Sequence, residues 1–186
     1  MATKREIVVD AAIEVLGTRG SKGLTHRGVD DVAGVPTGTS SNYFRTREAL
    51  LVGVVDRLVE RDKVDWERLS RLPTPQSIGE LIDATTAWAL HSVEADRVRT
   101  TARYTLMLES ATTESMQAPL LLARRALVEW VEGLLGELSD DPAAHAVILM
   151  DYLDGAILHQ LTMPAPDFDP RPLISDLATS LLTKSR

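Results

Sequence analysis

The chain has 186 residues, with 20 Lys and Arg against 27 Asp and Glu, a formal net charge of -7 at pH 7 and no cysteine. This length allows one large domain or two small ones that share a core, and a 44% hydrophobic content suffices to bury it. The missing cysteine excludes disulfides, thiolate metal sites and cysteine nucleophiles. No window approaches the roughly 18 uncharged apolar residues of a membrane span, and no secretory signal is visible. We therefore expect a cytoplasmic protein that makes no contact with a membrane.

The net negative charge conceals an uneven distribution along the chain. Residues 1–47 carry seven basic and five acidic side chains, a net of +2, whereas the remaining 139 residues carry 13 basic and 22 acidic groups, a net of -9. Binding to nucleic-acid phosphates requires cations that displace condensed counterions. A basic segment in an acidic chain therefore indicates an anionic partner for the N-terminal end only.

Apolar residues recur at helical spacing nearly throughout, and no convincing run alternates apolar with polar residues. Gly20 ends the first predicted helix, Thr25 caps the second and Gly34 ends it. We expect an all-α fold in which an N-terminal three-helix head, residues 1–47, is continuous with a larger helical-bundle body, residues 48–186. The head is too small to bury much surface alone, so it must lean on the fourth helix. The predicted helices cover residues 3–18, 26–33, 37–44, 47–71, 77–92, 96–113, 119–138, 142–162 and 170–184.

The second and third predicted helices are joined by a tight turn that contains Gly34 and Pro36, which is typical of a helix-turn-helix. In that motif the second helix enters the major groove of double-stranded DNA. The alternative is a polar helix that only covers a core, which we rank second because such a small, hydroxyl-rich helix gains little from propensity or packing. The third helix carries short polar side chains that can approach base edges closely, namely Thr37, Thr39, Ser40, Ser41 and Asn42.

Enzymatic chemistry finds little support in the sequence. The four histidines lack metal-binding spacing, and there is no glycine-rich phosphate loop and no nucleophile elbow. Asp151 and Asp154 come nearest to a catalytic pair, but polar positions along a helix interface explain them better. We therefore expect no catalytic residue, no metal and no cofactor.

Residues 34–51, with the sequence GVPTGTSSNYFRTREALL, resemble the head signature of TetR-family transcriptional repressors. Residues 25–33 match the second helix of that family, and the resemblance extends over about residues 5–51. It implies a ligand-responsive regulator that binds a palindromic DNA operator as a homodimer. It also implies a body that binds a small-molecule effector and thereby releases the DNA.

The resemblance assigns roles to individual residues of the head. Thr39 and Ser40 fall at base-facing sites, and Tyr43 falls at a site that contacts phosphate. Arg27 falls where the second helix of the family contacts the DNA backbone, and Arg47 falls where the family keeps a basic residue at the start of the fourth helix. The sequence departs from the family at two positions that often contact the backbone. These departures are Thr37 in place of a common lysine and Ser41 in place of a common aromatic residue. Two further positions match the family: Gly38 allows close approach to DNA, and Phe44 anchors the core beneath the recognition helix. The lost contacts shift the expected phosphate binding toward Lys4, Arg5, Arg45 and Arg47.

Two segments of the body, residues 120–135 and 146–161, are apolar around more of their circumference than a surface helix needs. They should be covered both by their own core and by something else. The resemblance pairs them with their copies in a four-helix bundle at the dimer interface. The alternative, which must hold for some of their apolar residues, is that these residues fill the core of one subunit. The candidate interface residues are Leu127, Val131, Leu134, Leu149, Leu153, Ile157 and Leu161.

Large or polar side chains on apolar helix faces are the candidates for an effector pocket, although each is also explained as ordinary core or surface. Arg103 in a mostly apolar wall would favour an anionic or strongly polar ligand. The candidates are Trp88, Arg103, Tyr104, Met107 and Ser110. Two other functions stay open: a helical ligand-binding or adaptor protein whose head binds another protein, and a small all-helical enzyme.

Overall fold

The structure is a computed structural model that describes residues 2–182. No strand occurs in this range, which confirms the predicted all-α fold class. No helix within it combines the length and the apolar character that crossing a membrane requires. The predicted end of the last helix at residue 184 lies outside the described residues. The helices are α1 (Lys4–Gly23), α2 (His26–Ala33), α3 (Thr39–Tyr43), α4 (Arg47–Leu69), α5 (Ile78–Val93), α6 (Arg97–Ser110), α7 (Glu114–Leu135), α8 (Pro142–Thr162) and α9 (Arg171–Leu182), with a 3-10 turn at Gly136–Leu138.

Local sequence signals account for several helix starts. Thr3 and Glu6 form a reciprocal capping box at the start of α1. The hydroxyl of Thr25 accepts from the amide of Gly28 at the start of α2, and Ser77 caps α5 in the same way. Each of these hydrogen bonds satisfies an amide that the helix itself leaves unpaired.

Glycines in the left-handed region separate the helices of the head. Gly20, with φ 67°, breaks α1 three residues before its end, and Gly34, with φ 63°, ends α2. Both helix breaks were predicted from the sequence. Gly38, with φ 91°, places itself and Thr37 in the turn, so α3 begins at Thr39 and is shorter than predicted.

The break between the sixth and seventh helices lies earlier than predicted. α6 ends at Ser110, and α7 begins at Glu114, five residues before Pro119. The predicted start at Pro119 is wrong because the proline lies in the second turn of α7. Its missing amide removes one hydrogen bond there, which the rest of a 22-residue helix tolerates.

By its internal contacts the described chain divides into two compact units. The first contains Met1–Asp65 and Arg97–Ala123, and the second contains Trp66–Asp96 and Arg124–Arg186. Two of the three boundaries fall inside α4 and α7, and the third falls between α5 and α6. The predicted division of function at residue 47 therefore stays a prediction, since the head shares its core with other elements of the first unit.

One apolar cluster forms the core of the first unit. It joins α1, α2 and α4 with the inner face of α6 and one methionine of α7. This arrangement agrees with the expectation that the head buries too little surface alone and must pack against α4. The largest fully buried members are Val8, Val9, Val15, Leu16, Val29, Leu50, Leu51, Leu106 and Met116.

α1 and α6 approach each other closely at Gly17. A Cβ atom added there would lie 2.1 Å from the carbonyl oxygen of Val98 and 2.7 Å from its Cγ1. Because the nearest atom belongs to the backbone, no rotation of a side chain would relieve the overlap. Glycine at this position therefore sets the distance between α1 and α6.

The second unit is built around α5, α8 and α9, which pack against one another. Trp66 and Trp130 stack within this unit, with ring centroids 6.0 Å apart and planes inclined by 14°. Arg124 of α7 pairs with both Asp151 and Asp154 of α8, so these two carboxylates line a helix interface. The buried apolar side chains of the unit are Leu81, Ile82, Ala89, Val93, Val131, Leu135, Ala146, Leu149, Met150, Leu153, Ile157, Ile174, Ala178 and Leu182.

We expect Gly17→Ala to destabilise the protein by about 1–3 kcal/mol, because the added methyl group forces α1 and α6 apart. The free energy of unfolding in urea measures this effect. Gly79→Ala is the matched control, since a Cβ there would meet only the hydroxyl of Ser77 at 3.9 Å. Equal stability of the two variants would contradict the close approach.

Candidate nucleic-acid interface

The N-terminus of α3 is capped by a side chain from another helix. Gly38 is the N-cap residue and has no side chain to offer. The carboxylate of Asp30, on α2, instead accepts from the amide of Gly38 at 2.7 Å and from the amide of Ser40 at 2.8 Å. Asp30 is only 1% exposed. The two hydrogen bonds that its carboxylate oxygens accept fix the start of α3 against α2.

The other end of α3 is also held by α2. Nε2 of His26 lies 2.6 Å from the carbonyl oxygen of Phe44, to which it donates in the matching tautomer. The hydroxyl of Ser40 donates to the carbonyl oxygen of His26 at 3.0 Å. Ser40 is fully buried. The prediction that Ser40 faces base edges is therefore wrong, because its side chain lies between the two helices.

Part of α3 and of the turn before it is open to solvent. Thr37, Asn42 and Tyr43 are exposed, with 46% of Tyr43 accessible, and Thr39 is half-buried. The hydroxyl of Thr39 donates to the carbonyl oxygen of Pro36 at 2.5 Å, an exposed hydrogen bond within the turn before α3.

Gly38 and Ser41 occupy the turn and the side of α3. Both are half-buried, and the hydroxyl of Ser41 donates to the carbonyl oxygen of Gly38 at 2.9 Å. Of the predicted DNA-contacting residues on α3 and its turn, Thr37, Asn42 and Tyr43 are thus the exposed ones.

The two predicted arginine contacts differ in their surroundings. Arg27 is exposed on α2. Arg47, at the first position of α4, donates from Nη1 to Glu109 of α6 at 3.1 Å and from Nη2 to the carbonyl oxygen of Ser21 at 3.2 Å. The hydroxyl of Ser21 also bonds both Arg47 and Glu109. Arg47 therefore already has anionic and carbonyl partners within the chain.

The hydrogen bonds from Arg47 and Ser21 hold the pKa of the Glu109 carboxyl below its ordinary value. Since the pKa is lower in the folded chain than in the unfolded chain, the network stabilises the fold at neutral pH. This contribution is lost as the pH falls through the lowered pKa of Glu109.

Carboxylates of the head are largely engaged within the first unit. Asp10 accepts from Nε and Nη2 of Arg57 on α4, both at 2.9 Å, and Glu6 lies 3.6 Å from the same arginine. Asp30 is buried under α3. The basic side chains are placed differently. Those exposed in the head are Lys4, Arg5, Arg19, Lys22, Arg27, Arg45 and Arg47. The guanidinium of Arg5 lies 5.2 Å from the centre of the Phe44 ring, a cation–π contact.

The predicted effector residues fall in both units. Trp88 is half-buried on α5 of the second unit. On α6 of the first unit, Tyr104 is buried, Met107 is 39% exposed, and the hydroxyl of Ser110 donates to the Met107 carbonyl oxygen at 2.7 Å. These assignments stay predictions. A surface groove of about 440 Å³ in the first unit is lined by other residues, including Arg5, Phe44, Val52 and Asp56.

The argument for an anionic ligand at Arg103 is wrong. Both terminal nitrogens of Arg103 bind the carboxylate of Asp62 on α4, at 2.7 and 2.8 Å. Asp62 is only 8% exposed. Because this carboxylate balances the charge of the guanidinium, Arg103 offers no uncompensated positive charge to a ligand.

Four of the seven predicted interface residues lie in the core of the chain itself. Val131, Leu149, Leu153 and Ile157 are at most 7% exposed, so their prediction as dimer contacts is wrong. The remaining three, Leu127, Leu134 and Leu161, are half-buried and stay predictions. The exposed apolar side chains on α7 and α8, which the sequence analysis did not select, are Leu121, Leu122, Val147 and Ile148.

Sequence reasoning also missed three residues that position the head: His26, Asp30 and Glu109. For Asp30 a signal exists, because this acidic residue lies eight positions before Gly38, the N-cap residue of α3, which has no side chain of its own to cap the helix. For Glu109 no local signal exists, since its partner Arg47 lies 62 residues away. Among residues 2–182 no group of three or more acidic or histidine side chains is placed to hold a metal ion.

Comparison with known proteins identifies the family. A family model of the tetracycline-repressor-like C-terminal domain matches residues 76–184, more than half of the chain. The chain belongs to the TetR family. Its function is that of the family, ligand-responsive regulation of transcription. A search of curated proteins gave no match.

Solved structures of TetR-family proteins resemble the chain over nearly its whole length. A TetR-family member from Streptomyces coelicolor A3 is 26% identical with a TM-score of 0.68, covering 97% of this chain and 99% of its own. The multidrug binding protein EbrR, complexed with ethidium, is 25% identical with a TM-score of 0.71 and the same coverage of both chains. A transcriptional regulator from Rhodococcus sp. Rha1 shares the fold, at 19% identity, 97% coverage of each chain and a TM-score of 0.78.

In this TetR-family head we expect Asp30→Asn to destabilise the fold by about 1–3 kcal/mol, because an amide group cannot accept from both backbone donors as the carboxylate does. Urea unfolding followed by circular dichroism measures the loss. Asp31→Asn is the control, since it removes the same charge from the exposed neighbouring position. If both variants unfold at the same urea concentration, Asp30 does not cap α3 as described.

Proposed function

We propose that this TetR-family regulator is a repressor that binds a palindromic operator as a homodimer and is released by a small-molecule effector. The heads of the two subunits would occupy half-sites about 34–36 Å apart, or a multiple of that spacing. This proposal places the chain in the cytoplasm.

The observation that carries the proposal is the placement of α3. A helix of five residues is too short to be stable alone, yet its N-terminus is bound by Asp30 and its C-terminal end by His26. Thr37, Asn42 and Tyr43 remain exposed to solvent. A rigid short helix with a polar outer face suits entry into the major groove, where Asn can pair with adenine.

Exposed cations around this surface supply the attraction to phosphate. Arg27 on α2 and Arg45, which follows the C-cap residue of α3, are both exposed. Tyr43, which is nearly half exposed, offers a hydroxyl to the DNA backbone. We assign phosphate contacts to these three residues and base contacts to Thr37, Thr39 and Asn42.

Helix-interior glycines in the second unit support a homodimer. A Cβ atom at Gly133 of α7 or Gly155 of α8 would meet nothing within 4 Å. Glycine inside a helix costs about 0.5–1 kcal/mol relative to alanine, and no contact within the chain requires it here. Close approach of a second copy would require it. Ile148 lies seven residues before Gly155 on the same face of α8 and is 43% exposed.

A small-molecule effector would act by shifting the balance between two shapes. The multidrug binding protein EbrR was crystallised with ethidium and with proflavin, which supports the proposal that the present chain also binds a small molecule. To reverse a 1:99 balance between the DNA-binding and released shapes, the effector must favour one shape by about 5.5 kcal/mol.

DNA binding is tested by selecting bound fragments from the source genome and titrating them by fluorescence anisotropy at several salt concentrations. We expect Arg27→Ala to weaken binding to every sequence and to reduce the salt slope by about one, because one phosphate contact is lost. Arg68→Ala, exposed in the last turn of α4, is the control. A wild-type chain that retains no DNA would favour the alternative in which the head binds another protein.

The dimer is tested by light scattering of Ile148→Asp. We expect this variant to run as a monomer, because a buried charge at the proposed interface lacks a partner. Leu173→Asp on α9 is the control, since Leu173 is 60% exposed on a different helix. A wild-type monomer, or a dimeric Ile148→Asp variant, would contradict the proposed interface.

A further inference from the structure

Arg47 is the meeting point of three helices in the first unit. It begins α4, and it bonds Ser21 in the last turn of α1 and Glu109, the next-to-last residue of α6. Ser21 and Glu109 also bond each other, which closes a three-membered network. The side chain of Arg47 is nevertheless 44% exposed and that of Glu109 is 22% exposed, so solvent reaches the network.

The network and a DNA phosphate require the same atoms. A guanidinium binds a phosphate through a fork of two parallel N–H donors. In this chain Nη1 of Arg47 faces Glu109 and Nη2 faces both oxygens of Ser21. To present its terminal fork to a phosphate, Arg47 must leave at least one of these partners.

Charge gives a second reason for competition. Phosphate binding is driven by the release of counterions that condense on DNA when a protein cation replaces them. A cation already paired with a carboxylate contributes little net charge to that exchange. While Glu109 is bound, Arg47 should therefore add little to affinity or to its salt dependence.

We propose that Glu109 is an internal competitor that holds Arg47 away from DNA, so that the position of α6 decides whether Arg47 contributes to binding. The proposal rests on the proposed function, because it requires the head to bind DNA. Glu109 touches no DNA in this scheme and acts only through Arg47. Because Glu109 lies at the end of α6, a displacement of that helix would break the ion pair and leave Arg47 available to phosphate.

A double-mutant cycle on the full chain tests the proposal with a labelled mixed-sequence DNA duplex, since phosphate contacts do not depend on sequence. The four proteins are the wild type, Glu109→Gln, Arg47→Gln and the double variant. Glutamine keeps the shape and the hydrogen-bonding oxygen of Glu109 but removes its charge. We expect Glu109→Gln to bind about two- to five-fold more tightly, the range that breaking a solvent-exposed ion pair supports. The salt slope should steepen by up to about one.

The gain must depend on Arg47. In the Arg47→Gln background we expect Glu109→Gln to change the affinity little, and Glu114→Gln, which removes a charge from the first turn of α7, to change it little in either background. Ser21→Ala, which leaves the carboxylate in place, should give a smaller gain than Glu109→Gln. Thermal unfolding of each variant identifies any loss of fold.

Three results would overturn the proposal. An equal gain in both backgrounds would mean a general charge effect. Weaker binding by Glu109→Gln would mean that Glu109 positions Arg47 for DNA, and unchanged binding would mean that the ion pair is irrelevant. If the wild type binds no duplex while remaining folded, the proposed function itself fails, which separates that failure from the other three.

Discussion

The head of this protein depends on one interaction, in which the carboxylate of Asp30 caps the start of α3. α3 has five residues, far fewer than a helix needs for stability in water, so its orientation must come from outside. Two charge-assisted hydrogen bonds from Asp30 supply that orientation within the buried contact of α2 and α3. A buried carboxylate is tolerated only when hydrogen bonds satisfy its oxygens. Asp30 on α2 and the turn around Gly38 therefore depend on each other.

The position of α3 is passed on to the rest of the first unit through Phe44. Its ring lies so close to α4 that a Cβ atom at Gly53 would be 2.4 Å from its Cε1 atom. α1 is fixed in turn against α6 by the close approach at Gly17. A densely packed interior has few voids that could absorb a small displacement, so the displacement is passed on to the neighbouring elements. Movement of α6 or α4 should therefore alter the placement of α3. The head is therefore mechanically part of a larger unit than residues 1–47.

Sequence reasoning succeeded where the deciding interactions are local. Gly34 and Thr25 fix the limits of α2 because a left-handed glycine and an N-cap hydroxyl act within four residues. It failed for Ser40 because five residues hold too little periodicity to show which side of a helix faces inward. It failed for Arg103 because the charge that neutralises it, on Asp62, lies 41 residues earlier in the chain. The continuous apolar run of α8 likewise hides which residues face inward, and only the structure separates buried Leu149 from exposed Ile148.

Pairing at short range, and not net charge, should govern how this acidic protein meets DNA. At physiological salt, charges more than about 8 Å apart on a protein surface are largely screened from each other. The surplus of carboxylates in residues 48–186 therefore has little effect on a phosphate at α3 unless a carboxylate lies in direct contact with a head cation. Glu109 lies in such contact, 3.1 Å from Arg47. A chain of net charge -7 can bind DNA for this reason, and one carboxylate placed against the head can control binding more than the many placed elsewhere.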